Sequence, residues 1–167
     1  MSLGSQIAAN LPYLRRYARA LTGSQATGDA FVRAMLEAVV ADAALMASLD
    51  GGRVPLYRAF TKVWASAQLA DAPVAGASTS EHEAGAQLRL GAITPPARQA
   101  LLLTTLEDFT TAEAAAILEL DNAAVAALVA EAVAEIEAEQ KTSVLIIEDE
   151  PLIAMQLEDL VSGLGHT

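Results

Sequence analysis

Carboxylates are the main candidates for catalysis or metal binding in this 167-residue chain. The chain has no cysteine and only two histidines, His82 and His166. Neither histidine lies in a catalytic motif, and no glycine-rich loop that cradles a phosphate is present. The sequence therefore argues against an enzyme. One carboxylate cluster, "EDE" at residues 148–150, follows a short apolar run. Taken alone, it is typical of a helix N-terminus, where negative charge is favourable.

A second group of carboxylates occupies residues 118–140, which have the outline of a DNA-reading helix. In a helix-turn-helix, the second helix normally carries Arg and Lys that neutralise phosphates and contact bases. This stretch has no Lys or Arg, and its acidic residues are Glu119, Asp121, Glu131, Glu135, Glu137 and Glu139. Such a surface would repel DNA. The simpler alternative to a modified DNA-reading helix is an ordinary solvated acidic helix in an alanine-rich protein.

The composition indicates a mostly α-helical protein. Apolar residues make up 53% of the chain and aromatic residues only 4%, which favours closely packed helices over a β-sandwich. The absence of cysteine is typical of the reducing cytoplasm. We expect no membrane association, since no signal-like N-terminus and no apolar segment of spanning length is present.

The net charge of −11 is distributed unevenly. Residues 1–62 have seven basic and four acidic side chains, a balance of +3. Residues 63–141 have three basic and twelve acidic side chains, a balance of −9, and residues 142–167 add five acidic ones. A DNA-binding surface on the middle segment would lack the counterion release that drives non-specific binding.

Apolar spacing predicts a three-helix unit in residues 1–70. The first helix runs from Ile7 to Leu21 at steps of three and four. "TGSQATGD" is predicted to break it, a second helix follows Asp29, and a third covers residues 54–69. Residues 71–93 are predicted to be a linker with one short helix in its second half.

Residues 94–141 are predicted to form a helix followed by a helix-turn-helix. Thr94 suits an N-cap, and the prolines after it suit a first helical turn. Thr110 and Glu113 have the spacing of a capping box, which starts the next helix. A short turn then leads into a final helix over residues 122–139.

These two blocks resemble parts of an extracytoplasmic-function sigma factor. "TPPARQALLLTTLEDFTTAEAAAILELDNAAVAALVAEAVAEI" is similar to sigma region 4, and "YLRRYARALTGSQATGDAFVRAMLEAVV" is similar to region 2. The chain departs from the family where region 4 usually places Lys, Ser and Arg, and then a further Arg, in its recognition helix. Those positions hold Ala126, Ala127, Leu128 and Glu131. Each missing cation removes a phosphate or base contact, and Leu128 would meet the groove with nothing to pair.

The segment "SVLIIEDEPLIAMQLEDLVSGLGHT", residues 143–167, resembles the start of a response-regulator receiver. Residues 144–147 are expected to form the first strand of a doubly wound sheet, followed by an amphipathic helix. The resemblance implies that Glu148 and Asp149 coordinate Mg²⁺, but only in an intact receiver. It also implies that a histidine kinase acts on the protein only through a complete receiver, and no cofactor is expected in the 167-residue chain itself.

Sigma-like regions 2 and 4 followed by a receiver are the arrangement of PhyR-type general stress response regulators. The resemblance implies a sigma-factor mimic that sequesters a NepR-type anti-sigma factor and so releases a sigma factor, under control of receiver phosphorylation. It implies no catalysis and no DNA binding. The alternative is a DNA-binding extracytoplasmic-function sigma factor or another helix-turn-helix transcription regulator.

An anti-sigma helix is expected to lie against both sigma-like units, using exposed apolar anchors and acidic rim residues. Ordinary core packing is the alternative role for most of the apolar candidates. Glu107 and Asp108 are the predicted rim residues. The predicted anchors are Tyr17, Phe31, Met35, Leu106, Phe109, Leu120 and Leu128.

Residues 142–167 lack the later strands of a receiver, including its phosphorylatable Asp and its Lys. A single strand has no neighbours for its backbone hydrogen bonds. We therefore expect this segment to be disordered, to pair with another copy or to pack opportunistically, as in an engineered or proteolysed fragment that binds its partner constitutively.

Overall fold

The computed structural model describes residues 3–69, 95–140 and 144–165. The predicted linker, the Thr94 cap and both histidines lie outside these ranges. In the described residues every regular element is a helix, as the composition predicts. The first unit, residues 3–69, contains α1 (Leu3–Thr22), α2 (Gln25–Ala41), α3 (Ala43–Ser48) and α4 (Arg53–Leu69). The second unit, residues 95–140, contains α5 (Pro95–Leu101), a π-helical turn (Leu102–Leu106), α6 (Thr111–Leu118) and α7 (Asn122–Gln140).

The apolar stripe of α1 faces inward as its spacing predicts. Leu14, Ala18 and Leu21 are buried against α2 and α4, with Tyr17 between them. The ring of Tyr17 lies 5.4 Å from that of Tyr57 and 5.7 Å from that of Phe60. Large aromatic side chains bury much apolar area at little cost in side-chain entropy. A few of them therefore organise the core of a chain that has few aromatics.

The predicted break over "TGSQATGD" is shorter than expected. Ser24 caps α2 by accepting a hydrogen bond from the Thr27 amide, so the helix begins at Gln25 and includes Gly28. Gly28 is helical because α1 crosses α2 there. A β-carbon at this position would lie 2.8 Å from the Arg19 nitrogen and 2.9 Å from the Ala18 carbonyl carbon. This glycine therefore allows close helix packing and does not form a turn.

The capping box before α6 is confirmed. The Thr110 hydroxyl accepts the Glu113 amide at 3.2 Å, while the Glu113 carboxylate accepts the Thr110 amide at 2.8 Å. These hydrogen bonds satisfy two donors that the start of a helix leaves unpaired. They also lower the pKa of Glu113 below its ordinary value, because the hydrogen bonds favour the charged carboxylate.

The predicted strand at residues 144–147 is wrong in the described structure. These residues form no strand, and Leu145 and Ile147 are 83% and 88% exposed. A strand needs neighbouring backbone to complete its hydrogen bonds, and the described residues supply none. The predicted helix does form, as α8 (Pro151–Gly163), with none of its residues buried. None of the described helices has the length and apolar character required to cross a membrane.

Candidate partner-binding surface

The helix-turn-helix is formed by α6, a short turn and α7. Glu119 ends α6 with a left-handed backbone (φ 58°) that reverses the chain. The Asp121 carboxylate then accepts the Ala124 amide at 2.7 Å and so caps the start of α7. Between them, Leu120 is 44% exposed. The predicted helix-turn-helix geometry is thus confirmed.

The inner face of α7 packs on the rest of the protein. Val125 and Ala132 are fully buried, and Leu128 and Val129 are partly buried against the core. The expectation that Leu128 would point into a DNA groove is wrong. It lies on the core side, one turn of helix from both Val125 and Ala132.

The outer face of α7, the second helix of the helix-turn-helix, is the surface that would enter a DNA groove in a DNA-binding protein of this shape, but it is apolar and acidic. Glu131 is exposed on this face, and α7 contains no Lys or Arg. Small side chains make up most of the remainder, namely Ala123, Ala126, Ala127, Ala130, Val133 and Ala134, all exposed. This surface cannot neutralise phosphates, whereas another polypeptide can approach it closely.

The predicted anchors divide between core and surface. Tyr17 and Met35 are 0% exposed and Phe109 is 6% exposed, so the expectation that these three are exposed anchors is wrong for this structure. Their packing explains the difference, because each belongs to the main hydrophobic cluster. Phe31 and Leu106 are half-buried, and Leu120 is exposed. Which of these residues contact a partner stays a prediction.

The two predicted rim charges behave differently. Asp108 is exposed, but Glu107 is 1% exposed and is not a rim residue. A buried carboxylate needs paired charges or hydrogen bonds to offset its lost hydration. Residues of the first unit supply them all, and the sequence alone gave no sign of this pairing.

The Glu107 cluster, formed by Glu107, Arg16, Arg53 and Tyr57, joins the two units. The Arg16 guanidinium lies 2.9 Å from Oε1 of Glu107, and the Arg53 guanidinium lies 2.9 Å from Oε2. The Tyr57 hydroxyl donates to Oε2 at 2.7 Å. Burial and the hydrogen bond to this carboxylate raise the pKa of the Tyr57 phenol well above its ordinary value. The guanidinium of Arg53 also lies 4.6 Å from the centre of the Phe109 ring.

Further contacts link α4 to α6. Nε of Arg58 donates to the Ala116 carbonyl at 2.7 Å, and Lys62 pairs with Glu119 at 2.9 Å. Both side chains of the Lys62–Glu119 pair are exposed, so this ion pair is expected to contribute little to stability. The positive balance of the first unit and the negative balance of the second were the only sequence signals for this docking.

A groove of about 200 Å³ lies between α3 and α4, next to the helix-turn-helix. Its rim contains Arg58 and Lys62, the two cations that also reach α6 and its C-terminal end. Lys62 pairs with Glu119, the residue directly before the exposed Leu120. The rest of its lining is mainly apolar, namely Leu45, Ser48, Val54, Pro55 and Ala59.

The Tyr57 hydroxyl is expected to matter for stability, whereas that of Tyr17 is not. The Tyr17 hydroxyl is buried and has at most the neutral Thr61 hydroxyl as a neighbouring partner, while Tyr57 donates to a carboxylate. Tyr57→Phe should therefore lower the free energy of unfolding by about 1.5–3 kcal/mol, the range for a hydrogen bond to a charged group. Urea denaturation of both variants measures this, and Tyr17→Phe is the matched control. An equal loss in both would contradict the assignment.

The predicted metal ligands do not form a complete site here. The Glu148 carboxylate accepts the amide of Glu150 at 3.1 Å. Within residues 3–69, 95–140 and 144–165, no group of three or more histidine or acidic residues is arranged to hold a metal ion. Two exposed carboxylates supply too few ligands for Mg²⁺. Coordination by Glu148 and Asp149 stays a prediction for an intact receiver.

Comparison with known proteins supplies the family. The family model described as the Sigma2 domain of PhyR matches residues 7–61, and the one described as the sigma-like domain of the response regulator PhyR matches residues 90–139. The phyllosphere-induced regulator PhyR of Methylorubrum extorquens is 48% identical over 99% of this chain. This chain spans 61% of that relative's length.

Solved structures give the same result. The chain is similar to the anti-anti-sigma factor PhyR of Bartonella quintana, solved in complex with the anti-sigma factor NepR, with a TM-score of 0.76 and 41% identity. That match covers 99% of this chain and 62% of the other. It is also similar to the PhyRSL–NepR complex of Sphingomonas sp. Fr1, with a TM-score of 0.72 and 44% identity over 90% of this chain and 98% of the other. The chain belongs to the PhyR family.

Proposed function

We propose that this chain is a sigma-factor mimic that captures a NepR-type anti-sigma factor and thereby releases an extracytoplasmic-function sigma factor. One observation supports this above all: the second helix of an intact helix-turn-helix presents alanines and carboxylates where DNA-reading cations would stand. A protein that keeps the shape of a sigma factor without its DNA chemistry is suited to bind whatever recognises sigma factors. Two similar proteins were solved bound to NepR.

The surface around the groove favours an amphipathic helical partner. The groove has a mainly apolar lining between α3 and α4, and the exposed Leu120 directly follows Glu119, the partner of the lining residue Lys62. Apolar anchors of this kind supply most of the binding energy of an interface, while charges at the rim orient the approach. The acidic outer face of α7 would favour basic residues on the same partner.

We propose that a complete receiver, with its histidine kinase and Mg²⁺, controls this binding, and that the chain itself catalyses no reaction. The partner switch would take place in the cytoplasm, where polymerase and sigma factors act. The apolar side chains exposed on α8 are consistent with a segment that belongs to a larger receiver. A DNA-binding function finds no support in the surface of α7.

Isothermal titration calorimetry tests the proposal. The 167-residue chain should bind a purified alphaproteobacterial NepR-type protein in a 1:1 complex and should not bind a promoter duplex at the same ionic strength. Tight, salt-sensitive binding to the duplex without binding to the anti-sigma protein would overturn the proposal.

Leu120 is expected to be an anchor for this partner. Leu120→Asp should weaken anti-sigma binding by about tenfold or more, because a charge would replace an apolar side chain in the interface. Val40→Asp is the matched control, since Val40 is 76% exposed on α2 and lies outside the groove lining. Equal affinities of the two variants would exclude Leu120 from the interface without affecting the proposed function.

A further inference from the structure

We propose that Glu107 is an ionic latch that fixes how the second unit docks on the first. Without this carboxylate, the two units should move apart while each keeps its helices. This inference goes beyond the proposed function and does not depend on which partner binds.

The first unit clamps the segment of the second unit that contains Glu107. The Glu107 carboxylate accepts hydrogen bonds from Arg16, Arg53 and Tyr57, which all belong to the first unit. The same two arginines also donate to main-chain carbonyls, Arg16 to that of Leu106 and Arg53 to that of Glu107. The latch therefore holds the backbone at this point as well as the side chain.

The charged groups of the Glu107 cluster are suited to fixing a single relative position of the two units. The other contacts between the units combine apolar packing, such as that of Tyr57 against Phe109 at 4.9 Å, with peripheral polar contacts such as Arg58 to the Ala116 carbonyl. Apolar contacts tolerate sliding, because they have little directional preference. A buried carboxylate tolerates none, since any shift leaves it without its partners in a low-dielectric environment.

The backbone before the latch departs from a regular helix. The Glu107 amide donates to the Leu102 carbonyl at 3.2 Å, which is the π-helical spacing, and the Phe109 amide donates to the Leu103 carbonyl at 3.1 Å. Asp108 then adopts a left-handed conformation with φ 55°. π-Helical turns are rare and concentrate at functional positions. Here the irregular turn positions the Glu107 side chain against Arg16, Arg53 and Tyr57 of the first unit.

A distance measurement between the units tests the latch. The chain has no cysteine, so Glu37→Cys on α2 and Ala130→Cys on α7, both exposed, accept spin labels at defined positions. Double electron–electron resonance should give one narrow distance distribution in this background. Glu107→Gln should broaden the distribution and shift it to longer distances, with the far-UV circular dichroism unchanged.

Asp108→Asn is the matched control. It removes the adjacent carboxylate, which is exposed, and Asn tolerates the left-handed backbone well. This variant should keep the narrow distribution. The latch is excluded if Glu107→Gln also keeps it. Should Glu107→Gln lose its helicity, Arg16→Gln decides the question: opening with intact helices supports the latch, and a second loss of helicity or an unchanged distance overturns it.

Discussion

Gly28→Ala is expected to destabilise the protein by about 3 kcal/mol, at the upper end of the range for overpacking. The new methyl group would lie 2.8 Å from the Arg19 nitrogen and 2.9 Å from the Ala18 carbonyl carbon. Both atoms belong to the backbone of α1, so no side chain can move aside. The helices must separate, which weakens the packing of Val32 and Met35 on the same helix. Urea denaturation followed by circular dichroism measures the loss.

Gly4→Ala is the matched control for this substitution. Gly4 is also helical, and a β-carbon there would meet nothing within 4 Å. Alanine should stabilise this helix by less than about 0.5 kcal/mol, because glycine loses more backbone entropy on folding but Gly4 lies in the first helical turn and not in the interior. Opposite signs for the two variants would establish the close crossing of α1 and α2. A stabilising effect of Gly28→Ala would show that the helices are farther apart than described.

Local sequence signals predicted much of this fold. The helical faces of α1 and α6 follow from spacing, and the capping box of Thr110 and Glu113 involves residues three positions apart. The prediction of a turn at Gly28 is wrong, because glycine is typical both of turns and of close helix crossings. Only the path of α1 distinguishes the two possibilities, and that path is not encoded near position 28.

The burial of charged residues is harder to predict from the sequence than the burial of apolar ones. Glu107 looks like a surface residue beside Asp108, yet its partners Tyr57 and Arg16 lie 50 and 91 positions away. Burial of a carboxylate depends on such distant partners and has no local signature. The strand expected at residues 144–147 failed for a related reason, since a strand forms only when neighbouring backbone is available. Resemblance to a family predicts the element, but only the surrounding chain can stabilise it.

Restoring cations to α7 is expected to create DNA binding. The triple variant Ala126→Lys, Ala127→Arg, Glu131→Arg changes three exposed positions of the second helix in the helix-turn-helix. If the shape for groove entry is intact and only the charge is missing, the variant should bind generic duplex DNA with a Kd of about 1–100 µM. The unmodified chain should show no binding under the same conditions. Three new phosphate contacts should give a slope of about −3 in log K against log salt.

The control places the same three changes on the first unit. Ala34→Lys, Ala41→Arg and Glu37→Arg lie on exposed positions of α2 and alter the net charge equally. Fluorescence anisotropy over a salt series compares the two variants. Similar affinities would mean that DNA responds to net charge alone, and absence of binding to both would mean that α7 is not presented to a groove. Preferential binding by the α7 variant would show that the surface of α7, and not its fold, separates this protein from a DNA-binding sigma factor.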